Sequence, residues 1–275
     1  MDKPVTIHAP GHPPPFPTPS PLHRAVGASA LGNAVEWFDY GIYAYGVTYI
    51  STALFPGDTE EAVLFALATF AISFLVRPLG GLFWGPLGDR IGRKAVLAMT
   101  ILLMAGATFC VGLIPSYESI GFWAPACLII LRMLQGFSTG GEYGGAATFM
   151  AEYAPDERRG FYGSFLEFGT LAGFSVGAAL MLGYSLHLGD AAMHEWGWRI
   201  PFLIAGPIGL IGMYVRSKME DTPIFREEMA AAENRTPPGI GALMRNYWRP
   251  LLVVGGLVVA LNVVNYSLLS YMPTY

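Results

Sequence analysis

Windows of about twenty predominantly apolar residues recur along this chain, the length that carries a helix across the hydrocarbon of a bilayer. They run over residues 27–53, 62–84, 95–114, 121–150, 160–186 and 200–215, and a seventh opens at Leu251 and reaches the last residue, Tyr275. Lipid offers no partner to a backbone N–H or C=O, so windows of this length predict helices that satisfy their own backbone. The composition agrees: 53% of residues are hydrophobic and only 13% charged, against roughly a quarter in soluble domains. The expected fold class is an all-α membrane protein. The lipid bilayer is its first partner, and a net charge of −4 provides no basic face for nucleic acid.

Between the second and third windows lies Gly85–Lys94, GPLGDRIGRK, whose aspartate and three cations cannot sit in hydrocarbon. It predicts a tight, water-facing turn. Orientation follows from Lys and Arg in the connectors. Those after spans two, four and six hold Arg90, Arg93 and Lys94, then Arg158 and Arg159, then Arg216, Lys218, Arg226, Arg235, Arg245 and Arg249. Those after spans one, three and five are read as holding only acids or histidines, namely Asp58, Glu60, Glu61, Glu118, His187, Asp190, His194 and Glu195. The first set, and with it the N-terminus, is expected in the cytoplasm. Trp123, Trp196 and Trp198 fall where an outer aromatic belt would lie.

Four units are expected: a disordered, proline-rich cytoplasmic tail over 1–24, a six-helix bundle over 25–216, a cytoplasmic linker over 217–249, and an incomplete seventh helix over 250–275. The prolines up to Pro21 argue against helix in the tail, and Pro237, Pro238 and Gly239 mark the linker. Because the seventh window ends without a flanking charge, the chain is expected to be part of a longer protein.

Ionisable residues inside the windows identify the chemistry, since each costs about 2.5 to 3.5 kcal/mol at a helix centre. Spans three and six carry none. Span one carries Glu36 and Asp39, span two Arg77, span four Arg132 and Glu142, and span five Glu167. In span four, Arg132, Gln135, Thr139 and Glu142 share one helical face, and Asn33, Glu36, Tyr40 and Tyr43 repeat that spacing in span one. Two such stripes predict the lining of a hydrated pathway. Arg132 and Glu142 are about 15 Å apart along their helix, so each needs a partner elsewhere; Asp39 is the expected partner of Arg132. Gly169, Gly173 and Gly177, and Gly140 with Gly144, read as packing ridges.

Other chemistries find no support. Gly136–Gly140 reads G-F-S-T-G, but a nucleophile elbow needs a preceding strand and a histidine base, and Ser138 lies in an apolar helix window. Cys110 and Cys127 are both inside spans, which suggests neither metal site nor disulfide framework. No cofactor fingerprint occurs, and no enzyme is expected.

GPLGDRIGRK resembles the G-x-L-x-D-R-x-G-R-K signature of the major facilitator superfamily, which sits between spans two and three, and Arg132 with Gly136 resembles that family's R-x-x-x-G element. The segments GNAVEWFDYGIY, FLVRPLGGLFWG, IPSYESIGFWAP, LQGFSTGGEYGGA, RRGFYGSFLEFG and EWGWRIPF look like the metabolite:proton symporter family within it. The likeness is nearest to the proline/glycine betaine branch, in IPSYESIGFWAP and LLSYMPTY, and runs from Gly32 to Tyr275. It implies two six-helix halves rocking about a central site, with spans one, two, four and five around the cavity and three and six outside. It also implies a cytoplasmic gate at Gly85, Asp89, Arg90, Gly92, Arg93 and Lys94. No proline occurs between Gly160 and Leu186, where the family's antiporters carry one, which points to symport.

The expected function is proton-coupled symport of a small polar metabolite, with the C-terminal half of the same transporter as the missing partner. Glu36, Asp39, Arg132 and Glu142 are the proton-coupling candidates. Trp37, Tyr40, Tyr43, Arg77, Arg132, Gln135 and Glu167 are the substrate candidates. Aromatic rings beside carboxylates suit a quaternary or secondary ammonium, hence a zwitterion such as proline or betaine, with Arg132 on its carboxylate. The alternatives are a carrier for citrate, 2-oxoglutarate or shikimate, and a non-transporting membrane interaction module.

Overall fold

The protein is described by a computed structural model that covers residues 19–218 and 240–266. The expectations for the rest of the tail, for 219–239 of the linker and for 267–275 lie outside the described residues. The chain divides into two units, 1–226 and 227–275.

All six spans of the first unit are helical: α1 (Pro19–Leu54), α2 (Thr59–Ile91), α3 (Arg93–Leu113), α5 (Trp123–Tyr153), α6 (Arg159–Ala192) and α7 (Arg199–Ser217), with a single turn, α4 (Tyr117–Ile120), before α5. The second unit contains α8 (Ile240–Asn246), which occupies part of the expected linker, and α9 (Trp248–Tyr266). Among the described residues α2, α3, α6 and α7 are long and apolar enough to cross a membrane. The less apolar α1 and α5 carry the charged stripes.

Helix pairs close on glycine because, in lipid, close backbone approach replaces the hydrophobic effect as the driving force. The main contacts are α1 with α6, α2 with α5 and α3 with α7. A Cβ on Gly169, Gly173 or Gly177 of α6 would stand 2.4, 2.0 or 2.7 Å from the carbonyl oxygens of Ala30, Ala34 and Phe38 on α1. On α5, a Cβ on Gly136 or Gly140 would stand 2.0 Å from the Ser73 or Arg77 carbonyl oxygen of α2. The α5 ridge is therefore Gly136 with Gly140. Gly144, expected to belong to it, has nothing within 4 Å of its Cβ position, since one further turn carries it off the α2 contact.

Five other expectations change. The turn at Gly85–Lys94 shrinks to one residue: α2 runs to Ile91, α3 begins at Arg93, and Gly92 alone breaks the helix, at φ 98° and ψ 142°. Asp89 and Arg90 reach the surface from a helix end as readily as from a loop. At the other terminus α1 begins at Pro19 and includes Pro21, because a proline in the first turn gives up an N–H that has no helical partner. The stretch after residue 186 continues α6, interrupted at Gly189 (φ 76°), and passes into a π-helical turn, Met193–Gly197. Finally, Trp123 and Trp196 are exposed but Trp198 is fully buried, edge-on to Phe202 at 5.9 Å, so it is a core residue and not part of a belt. Beside it Arg199, a cation on the side expected to carry none, stacks on Trp198 and donates to the Ile114 carbonyl oxygen at 2.8 Å.

Candidate functional site

A charged side chain buried in a helical bundle is tolerated when it is paired and hydrogen-bonded, and three carboxylate–arginine pairs occupy the interior. The innermost joins α1 to α5. Arg132 Nη1 donates to Asp39 Oδ2 at 2.7 Å, and both residues are essentially inaccessible. Asp39 Oδ1 accepts from the Thr108 hydroxyl of α3 at 3.0 Å and from Gln135 Nε2 at 3.1 Å. The Arg132 guanidinium lies 3.7 Å from the centroid of the Tyr43 ring. The Tyr43 hydroxyl donates to the Ala66 carbonyl oxygen at 2.7 Å and meets Thr69 at 2.9 Å.

The second pair joins α5 to α7. Arg216 Nη2 lies 2.6 Å from Glu142 Oε1, and Thr100 of α3 donates to the other carboxylate oxygen at 3.0 Å. The third, Glu36 of α1 with Arg77 of α2, is the loosest, at 3.5 Å. Glu36 is buried and its Oε2 has no hydrogen-bond partner, whereas the Arg77 side chain is 26% exposed. Arg77 also donates to the Tyr40 hydroxyl and lies over the Phe74 ring at 4.5 Å. Tyr40 stacks on Phe74 and meets Trp37 edge-on at 5.4 Å.

The expected Asp39–Arg132 partnership is thus present, but the surroundings differ from expectation. The α5 stripe of Arg132, Gln135, Thr139 and Glu142 is buried against α1, α3 and α7 and does not line an open pathway. Asn33 leaves the α1 stripe: its amide donates to the Leu166 carbonyl oxygen and to Thr170 on α6, at 2.7 and 2.6 Å. Glu167 is exposed and apart from the three pairs; it accepts from Tyr143 at 2.9 Å, beside a cavity of about 360 Å³ between α5 and α6. Nor are spans three and six electrostatically outside, because Thr100 and Thr108 of α3 and Arg216 of α7 complete the buried carboxylates. Their common spacing of eight residues places the two threonines on one face, a signal present in the sequence. Ser138 of the G-F-S-T-G match sits in mid-helix and donates to the Thr100 carbonyl oxygen at 2.5 Å.

The model of one protein family, sugar (and other) transporter, matches residues 25–236. The chain belongs to that family. It is 49% identical, over 92% of its length, to the glycine betaine/proline/ectoine/pipecolic acid transporter OusA of Dickeya dadantii and to the proline/betaine transporter of Escherichia coli, covering 52% and 53% of those proteins. The chain therefore spans about half the length of the curated relatives it matches. Its fold is similar to that of the major facilitator superfamily proton:xylose symporter XylE, with a TM-score of 0.66 at 18% identity over 78% of this chain and 48% of the other. An inward-open structure of XylE from E. coli gives 0.64 at 18% identity over 90% and 56%.

A member of this transporter family with these helices is a multi-pass integral membrane protein. At the Gly92 turn, Arg93 reaches across to Glu152 at the end of α5, 3.0 Å away, while Asp89 and Arg90 are exposed and enter no ion pair among the described residues. The stretch taken from sequence as one gate thus divides in two: Arg93 ties α3 to α5, and Asp89 with Arg90 is presented outward.

Proposed function

We propose that this chain supplies the N-terminal six-helix half of a proton-coupled symporter for a small zwitterion such as proline or betaine, acting as a carrier and not as an enzyme. In this reading it lies in the cell inner membrane with its N-terminus and the Gly92 turn in the cytoplasm, as the excess of cations on that side supports. A C-terminal half completes the site, and Asp89 and Arg90 latch onto it when the site faces outward.

The observation that carries this reading is the incomplete compensation of Glu36, held by one 3.5 Å contact with one oxygen unpartnered. Glu36 takes the proton. Protonation releases Arg77, the one arginine of the three pairs that is appreciably exposed, and Arg77 then binds the substrate carboxylate as a bidentate pair. The substrate's ammonium rests on the aromatic wall of Trp37, Tyr40 and Phe74. This moves the carboxylate-binding role from Arg132 to Arg77, because Arg132 is spent on Asp39 beneath the Tyr43 ring. Asp39, Arg132 and Gln135 hold α1 on α5, and Glu167 with Tyr143 borders the neighbouring cavity. A tricarboxylate would bring three negative charges to a centre whose arginines are already matched one to one. The names of the relatives point the same way, since each substrate printed there carries a carboxylate and a cationic nitrogen.

The test is competition uptake by the full-length transporter in proteoliposomes under an imposed proton gradient. Betaine and proline are expected to inhibit each other, and citrate to inhibit neither. Trp37→Ala removes a desolvated cation–π contact worth about 2 kcal/mol, roughly 30-fold in affinity, and weakens betaine more than proline because the methylated ammonium depends most on the ring. Unchanged betaine affinity, or citrate outcompeting betaine, overturns the zwitterion assignment.

A further inference from the structure

Arg216 stands at the last turn of α7, where a cation ordinarily snorkels to water. Its guanidinium instead turns inward and is 2% exposed. Beyond the 2.6 Å contact with Glu142, its Nη1 donates to the Leu97 carbonyl oxygen of α3 at 2.7 Å. On the third side it lies on Gly32 of α1, where a Cβ would come within 1.6 Å of Nη2. One side chain therefore fastens α7 to α1, α3 and α5, and the absence of a side chain at residue 32 makes the room. Gly32 precedes Glu36 by one helical turn on the same face.

We propose that Arg216 is a positioning residue of the transport cycle: by gripping Glu142 across Gly32, it couples the position of the α7 end that leads out of the bundle to the charge state of Glu36. The proposal rests on the symport reading above. The charged and titratable groups around Glu36 are Asp39 and Tyr40 on α1, Arg77 on α2, Glu142 and Tyr143 on α5 and Arg216 on α7, with Arg132 of α5 paired to Asp39 and Glu167 of α6 bonded behind Tyr143. With three carboxylates and three arginines ionised, the centre is neutral. A proton on Glu36 adds a positive charge, and withdrawal of Arg216 with the end of α7 removes one. The two events compensate each other, so withdrawal of Arg216 with the last turn of α7 favours loading of the proton, and its return favours release.

The experiment measures proton-driven proline uptake by the full-length transporter across external pH, alongside thermal melting in detergent, for the parent, Arg216→Gln, Gly32→Ala and Glu142→Gln/Arg216→Gln. Arg216→Gln is expected to move the alkaline limb of the profile to higher pH by about one unit, a tenfold change in proton affinity. Gly32→Ala displaces the flexible end of Arg216 without altering any charge and moves the limb the same way, so it carries the test if Arg216→Gln does not fold. The double variant, neutral again, returns the limb toward the parent. A static bolt would lower the melting temperature and leave the profiles superimposed on an active parent, and that result overturns the proposal. A parent that takes up no proline under a proton gradient instead removes the symport reading, and the proposal with it.

Discussion

Asp39→Asn leaves Arg132, which has no accessible surface, without a counter-charge in the middle of the bundle. The amide oxygen still accepts from Thr108 and Gln135, while the amide nitrogen takes the place of Oδ2, so the 2.7 Å ion pair is lost and two donors face each other. Stranding one member of a buried pair costs about 3–5 kcal/mol. Arg132→Met strands Asp39 in turn, toward the lower end of that range, because two donors remain on the carboxylate. When both changes are made no buried charge is left unpaired, and the double variant recovers most of the loss. A double-mutant cycle is therefore expected to return a coupling energy of about 3 kcal/mol or more, at or above the top of the range usual for residues in contact. The assay is reversible unfolding in mixed dodecyl maltoside and dodecyl sulfate micelles, followed by circular dichroism. Effects that add to within about 0.5 kcal/mol would mean that the pair behaves like a solvent-exposed one, worth at most about 1 kcal/mol, and that water reaches the α5 stripe after all.

Packing and topology yield further predictions. Gly173→Leu drives a side chain into the α1 backbone at Ala34 and destabilises the fold by the 1–3 kcal/mol or more that overpacking costs, read as a sharply lowered melting temperature, while Gly144→Ala, with open space at its Cβ, leaves the melt unchanged; equal effects would refute the ridge assignment. With single cysteines placed at Ser116 and Ser217, an impermeant maleimide applied to intact cells labels the first and not the second, and the reverse pattern inverts the orientation.

The spans and the Asp39–Arg132 partnership were legible because the cost of charge in hydrocarbon is large enough to leave a mark on sequence: an arginine at the centre of a span requires an acid on a neighbouring helix. Side-chain direction was less legible. Asn33 keeps the spacing of Glu36 and Tyr40, yet a stripe on α1 is wide enough to face α2 at one residue and α6 at another. Arg216 was hidden because a cation at the end of a span is equally well explained by the orientation rule, and only its approach to Gly32 and Glu142 in space separates the two roles. Trp198 was misread for the same reason, since a tryptophan near the end of a span looks alike whether it faces lipid or Phe202. The charged residues of Gly85–Lys94 indicated water but not backbone, and the last turns of α2 are as wet as a loop.

The central claim is that Glu36 accepts the coupled proton, and Glu36→Gln in the full-length transporter tests it most directly. Glutamine retains the shape and a hydrogen-bonding group but cannot change charge, so proteoliposomes carrying this variant are expected to exchange labelled for unlabelled proline across the membrane while failing to accumulate it under a proton gradient. Accumulation at the parent's level by Glu36→Gln would contradict the account and place the proton on another carboxylate.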